Sequence, residues 1–255
     1  TNDWAFETKQ IHAGFAIDES TGATALPIYQ TSSYAFSDTG QAAGRFALRE
    51  LGPIYTRLNN PTTDSVAARI AALEGGVGGL LVSSGQSATA LSLLALAVAG
   101  NNIVASPSLY GGTVTLLKNT LGRLGIETRF VPDPLDAKAW RALADDKTVA
   151  FFGESIPNPR GDILDIEPIA TAAHEVGVPL IVDNTVATPY LVRPIEWGAD
   201  IVVHSATKYL GGHGTSIAGA IVDSGAFDFA SQPERFPLYN TPDESYHGLV
   251  YARDL

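Results

Sequence analysis

Ala199–Gly212, ADIVVHSATKYLGG, is the stretch whose reading decides the fold. The apolar run Ile201–Val203 leads through His204 into Ser205, Ala206, Thr207 and Lys208. A short apolar run closed by polar residues predicts a strand buried on both faces. That strand ends in two hydroxyls and one lysine. Upstream, Pro179–Val182 is a second apolar run, and it ends in Asp183–Asn184.

Working outward, further short apolar runs recur along the chain. Leu80–Ser83, Ile103–Ala105, Thr128–Val131, Val149–Phe152, Leu180–Asp183, Ile201–His204 and Ile217–Val222 read as strands. Between them, Asp64–Leu73, Ser87–Ala99, Gly112–Leu124, Ala137–Ala144, Ile166–Val176 and Val192–Trp197 read as helices. This alternation predicts an α/β fold: a mostly parallel seven-stranded sheet with helices on both faces. Gly, Pro and Asn cluster at the joints, as turns require. Residues 1–60 lack periodicity and read as an extended arm that packs on a neighbouring subunit. Residues 61–227 form the sheet domain, and residues 228–255, with Pro233, Pro237 and Pro242, read as a loop-rich exit.

Composition narrows the function. There is no cysteine, which excludes disulfides, thiolate metal sites and a catalytic thiol. The net charge of −11 argues against a nucleic-acid partner, which needs a basic face. No apolar run approaches the roughly 20 residues that span a bilayer, so no membrane is expected. The N-terminal TNDWAFETKQIHAG lacks the apolar core of a signal peptide, and a cytoplasmic location fits. The chain has no methionine and ends in GLVYARDL without a clear finish, so a fragment or processed chain is expected.

Ligands of open parallel sheets sit at the carboxyl ends of strands. Five such ends here carry polar chemistry: Ser84–Gln86, Ser106–Tyr110, Glu154–Asn158, Asp183–Asn184 and Ser205–Lys208. The turn Ser83–Ser87 opens a helix, where free N–H groups and the helix dipole favour an anion such as phosphate. Gly85 permits close approach there, while a plain serine cap is the ordinary alternative. Ser205 and Thr207 offer further donors. Tyr110, followed by two glycines, can stack on a flat heterocycle or simply fill the core. Asp183 closes an apolar strand and needs a cationic or hydrogen-bonding partner. A lysine and an acid at two strand ends suit pyridoxal 5′-phosphate: the amine links to the cofactor, and the acid pairs with the pyridinium nitrogen. The five histidines show no metal-ligand spacing, so no metal is expected. No nucleophile elbow, P-loop or dinucleotide fingerprint is present.

Six ordered motifs carry a family resemblance. They are YTRLNNPT (Tyr55–Thr62), SSGQSA (Ser83–Ala88), PSLYGGT (Pro107–Thr113), ESIPNP (Glu154–Pro159), IVDNTVATPYL (Ile181–Leu191) and HSATKYLGGHGTSIAG (His204–Gly219). The chain resembles the pyridoxal-phosphate enzymes of cysteine and methionine metabolism, the transsulfuration group. The resemblance implies a type I aminotransferase-like fold. It implies that Lys208 holds the cofactor and moves protons, Asp183 binds the pyridinium nitrogen and Tyr110 stacks on the ring. It further implies that Gly85, Gln86, Ser205 and Thr207 bind the phosphate and that Asn158 lies near the phenolic oxygen. Tyr55 and Arg57 would reach the phosphate of a neighbouring subunit, in a homo-oligomer expected to be a dimer of dimers.

Gln86 and HGTSIAG make the chain most similar to members that replace the γ-substituent of O-acetylhomoserine with sulfide in methionine biosynthesis. The implied reaction is γ-replacement giving homocysteine and acetate. Formation of cystathionine, or γ-elimination, is the alternative outcome. Family members continue into a C-terminal small domain with a carboxylate-clamping arginine, which is expected to be missing here. A catalytically silent cofactor-binding fragment is therefore a further alternative.

Overall fold

The apolar runs assemble as read into a single seven-stranded sheet. In the computed structural model, which describes residues 3–254, its strands are β1 (Gly78–Val82), β2 (Asn102–Ala105), β3 (Glu127–Phe130), β4 (Thr148–Glu154), β5 (Leu180–Asp183), β6 (Ile201–His204) and β7 (Gly219–Asp223). Their spatial order is β1-β7-β6-β5-β4-β2-β3. All pairings are parallel except those of β7, which runs antiparallel between β1 and β6. After Thr148, the central strands β4 and β5 carry only apolar residues and glycine until their last residues, because helices cover both faces.

The helices are α1 (Phe6–His12), α2 (Thr39–Phe46), α3 (Pro61–Glu74), α4 (Gly85–Leu94), α5 (Gly111–Thr115), α6 (Ala137–Leu143), α7 (Ile166–Glu175), α8 (Thr188–Leu191), α9 (Pro237–Asn240) and α10 (Tyr251–Asp254). One face of the sheet packs on α3, α6 and α7, with Trp140, Phe151, Ile169 and Leu180 at its centre. The other packs on α4 and α5, with Leu93, Leu117, Phe152 and Ile181. Phe151 and Phe152 are adjacent yet bury into opposite faces, as strand alternation demands. Each contributes roughly 2–3 kcal/mol by leaving water.

Three expectations change. Residues 1–60 are not simply an extended arm, because α1 and α2 form within them. Part of this region packs on its own domain: Arg69 Nε donates to Ala13 O at 2.8 Å, and Tyr29 N–H donates to Thr62 Oγ1 at 2.9 Å. The helix read over Val192–Trp197 is only a 3₁₀ turn at Pro194–Trp197, and the preceding α8 ends at Leu191 before that range begins. Pro194 disfavours helical backbone at Arg193, which is extended instead. The helix read over Gly112–Leu124 starts one residue earlier and widens to a π-helix over Leu116–Leu121.

The exit segment also joins the core. Phe236 is 1% exposed and packs against the α4 face, edge-on to Phe227 and Phe229. Among the described residues no helix is long and apolar enough to cross a membrane.

Candidate active site

Strands β4 and β5 pair in register so that Glu154 lies directly beside Asp183. Both are the last residues of their strands and face the α4 side of the sheet. The Glu154 carboxylate accepts from Tyr110 N–H at 2.7 Å and from Asn158 N–H at 3.3 Å. One buried acid thus sets the positions of two residues that the sequence marked. Burial, and then the charge of Asp183, push the Glu154 pKa up to about 7. Burial also raises the Asp183 pKa, against the pull of Thr185 hydrogen bonds and the His204 charge.

Asp183 Oδ1 accepts from Thr185 N–H at 2.9 Å and from Thr185 Oγ1–H at 2.5 Å. The same hydroxyl accepts from Ser205 N–H at 2.7 Å, tying the end of β5 to the segment that follows β6. No described residue hydrogen-bonds Asp183 Oδ2, and no described cation pairs with this acid. A buried carboxylate with a free oxygen is poised for a cationic guest.

Lys208 sits four residues beyond β6, exposed at the same end of the sheet. Its loop is fixed by Thr207, whose hydroxyl donates to Ala218 O at 3.2 Å and accepts from Ala218 N–H at 3.1 Å. The motif HGTSIAG therefore works structurally, as the loop into β7 whose Ala218 backbone clamps the lysine loop. Thr207 is engaged in this clamp rather than presenting a free hydroxyl.

The turn before α4 meets Ser205 closely. A Cβ added to Gly85 would lie 2.5 Å from Ser205 Cβ, so only glycine fits. Ser84 caps α4 by accepting from Ser87 N–H at 3.1 Å. The Gly85 and Gln86 N–H groups precede the first intrahelical bond and remain available to an anion. Gln86 itself reaches Thr113 Oγ1 at 3.3 Å, linking the turn to α5 beside Tyr110.

Gly85, Gln86, Tyr110, Asn158, Asp183, Ser205, Thr207 and Lys208 thus share one end of the sheet. Tyr55 and Arg57 do not join them. They lie in the exposed N-terminal region, with the guanidinium 5.5 Å from the Tyr55 ring centre. Tyr110, half-exposed at 49%, leaves a ring face open to solvent. A cavity of about 660 Å³ lies on the α3 side, lined by Arg69, Ile70, Thr207 and His213; neither Asp183, Tyr110 nor Lys208 lines it.

Sequence reasoning marked the strand end Glu154–Asn158 but gave Glu154 no role, and it did not mark Thr185. Glu154 closes a strand of seven buried residues, and that burial was the available signal. Thr185 acts only through contacts that chain spacing does not reveal.

The family model for the Cys/Met metabolism PLP-dependent enzymes matches residues 7–242. The chain is 50% identical over 254 residues to an O-acetyl-L-homoserine sulfhydrylase of Corynebacterium glutamicum, covering 98% of this chain and 58% of that protein. It is 52% identical over 250 residues to a homocysteine synthase of Schizosaccharomyces pombe, covering 97% of this chain and 58% of the relative. The chain thus spans less than two thirds of the length of these curated relatives. A Campylobacter jejuni crystal structure, described as a putative O-acetylhomoserine (thiol)-lyase with a pyridoxyl-lysine phosphate, superposes with TM-score 0.94 at 41% identity. It covers 99% of this chain and 62% of its own. A cystathionine γ-lyase from Lactobacillus plantarum superposes with TM-score 0.79 at 36% identity, covering 91% of this chain and 57% of that one. The chain belongs to the Cys/Met metabolism family of PLP-dependent enzymes.

Proposed function

We propose that the protein carrying this chain converts O-acetylhomoserine and sulfide to homocysteine and acetate, with pyridoxal 5′-phosphate as cofactor. The observation that carries this reading is Asp183: a largely buried acid with a free oxygen and no described cation, at a strand end shared with Lys208 and Tyr110. The residues present fit the cofactor. The Gly85–Ser205 approach and the open N-terminus of α4 form a cradle for its phosphate. Bound there, the cofactor supplies an electron sink that lets the proton on the substrate α-carbon leave.

The chain's own groups do the rest. Lys208 holds the cofactor through its amine and, once free, moves protons at the substrate α and β carbons. Asp183 keeps the proton on the pyridine nitrogen, and Thr185 orients that carboxylate. Glu154 fixes the Tyr110 backbone so that the ring covers the cofactor face and excludes water. Asn158, whose backbone N–H is held by the same acid, would contact the cofactor's phenolic oxygen. Acetate departs from the γ-carbon and hydrosulfide takes its place.

The same reading assigns residues 1–60 to a neighbouring subunit's site through Tyr55 and Arg57. Ile28, Phe46, Leu51 and Leu58 are exposed apolar residues in this region, which supports burial against another copy in a homotetramer. Residues 61–227 form the cofactor domain, and 228–255 lead toward a small domain that clamps the substrate carboxylate. A cytoplasmic setting is part of the same reading.

The likeness to a cystathionine γ-lyase supports a second reading, γ-elimination. One assay separates them. The whole protein receives O-acetylhomoserine with sulfide, with cysteine, or alone. Sulfide-dependent homocysteine carries the first reading. Cystathionine or 2-oxobutyrate as the main product overturns it.

A further inference from the structure

Beneath the strand ends, on the face away from Tyr110, lies a buried polar chain that the proposed reaction does not use. Glu74, the last residue of α3, is fully buried, as is His204, the last residue of β6. His204 Nε2–H donates to Glu74 Oε1 at 2.5 Å. Asn184 Nδ2–H donates to that same oxygen at 2.9 Å. Asn184 Oδ1 in turn accepts from Ser155 Oγ–H at 2.8 Å. Glu74 Oε2 and His204 Nδ1 have no partner among the described residues.

Burying a carboxylate with one oxygen unpartnered is costly, and replacing a whole buried polar pair by apolar residues is often neutral or stabilising. Stability alone therefore gives a weak account of Glu74. Its connections give a better one. Ser155, Asn184 and His204 each neighbour a cofactor-facing residue: Glu154, Asp183 and Ser205 respectively. Side chains alternate across a strand, so fixing one residue on the far face aims its neighbour on the near face. One oxygen of Glu74 thereby joins the ends of β5 and β6, and Asn184 extends the link to β4.

We propose that Glu74 is a positioning residue for the cofactor site, holding Asp183 and the Ser205–Lys208 segment in mutual register from the opposite face of the sheet. The proposal rests on the role of Lys208 given above. Glu74→Gln keeps an acceptor at Oε1 and places its amide at the unpartnered Oε2 position. Glu74→Leu removes the acceptor.

The test uses the cofactor-loaded whole protein and reads cofactor release and the pH midpoint of its visible absorption band. Glu74→Leu is expected to fold, to release cofactor about tenfold faster and to move the midpoint by roughly one unit. Glu74→Gln is expected to restore both. If Glu74→Leu does not fold, Asn184→Ala is read in the same way, since it cuts the links to β5 and β4 and leaves the Glu74–His204 contact at β6 in place. Wild-type release and midpoint in the folded variant overturn the proposal. So does a Glu74→Gln protein as impaired as Glu74→Leu, or failure of both Glu74→Leu and Asn184→Ala to fold, which assigns the network to folding. A wild-type protein without a borohydride-reducible band instead overturns the role of Lys208.

Discussion

The two ends of the parallel strands use the same polar residue types to opposite effect. At the amino ends, Asp145 and Asp200 are answered. Asp145 accepts from Asn102 Nδ2–H at 2.7 Å and Arg129 Nη1–H at 2.8 Å. Asn102 Oδ1 accepts from Thr148 Oγ1–H at 2.7 Å. Burial would raise the Asp145 pKa, yet the Asn102 and Arg129 bonds pull it well below the usual carboxylate range. Asp200 likewise accepts from Leu180 N–H at 2.8 Å and pairs with His174 at 2.9 Å. At the carboxyl ends, Glu154 and Asp183 sit side by side with raised pKa values and no described cation. Satisfied polar groups hold a fold together, whereas unsatisfied ones mark where a charged ligand completes the site.

The sharpest way to break this contrast is Lys208→Ala. Turnover should fall roughly 10³-fold or more, and the borohydride-reducible band should vanish. Normal turnover would remove the carboxyl end from catalysis altogether. Thermal stability should barely change, because the side chain is exposed.

Glu154→Gln tests directly the acid that has no cationic partner. Its folded pKa lies above the ordinary 4.5, at about 7. The folded state therefore binds this proton more tightly than the unfolded chain. That contribution is complete below pH 4.5 and is lost as pH rises through about 7. In cofactor-free protein the loss amounts to at most about 3 kcal/mol. Denaturant titrations across this window should show the loss in wild type and not in Glu154→Gln. Parallel curves would mean that Glu154 is answered after all.

At the amino ends the effects should be on stability alone. Asn102→Ala leaves Thr148 and Asp145 short of a partner and should cost about 2 kcal/mol. Cofactor retention should match wild type; a matching loss of cofactor would erase the distinction between the ends. The smallest effect belongs to His174, whose pKa Asp200 raises. A raised histidine contributes below its unfolded value near 6.5 and loses that contribution as pH rises through the folded value. The side chain is half-exposed, so His174→Gln should change stability by less than about 1 kcal/mol, and only on the acid side.

Local pattern made much of this molecule legible. The run Val149–Phe152 is apolar on both faces and became the core of β4. Ser84 and Asn60 are caps with visible chemistry, and α3 begins at Pro61 beside its Asn60 cap rather than at Asp64. Where the reading missed, a long-range contact or a backbone rule prevailed. Residues 1–60 lacked periodicity because α1 and α2 bury nothing fully. Pro194 kept Arg193 extended and cut an apparent helix down to a 3₁₀ turn.

The sequence by itself determined the order of strands and helices, the polar strand ends, and the lysine of ADIVVHSATKYLGG as the residue on which the chemistry turns. Those follow from local rules of periodicity, capping and turn chemistry. Only the tertiary structure decided that Glu154 stands beside Asp183, that HGTSIAG clamps the Lys208 loop, and that Glu74 reaches His204 from 130 residues away. Strand register and helix packing bring such groups together, and no periodicity records a contact between residues so distant in the chain.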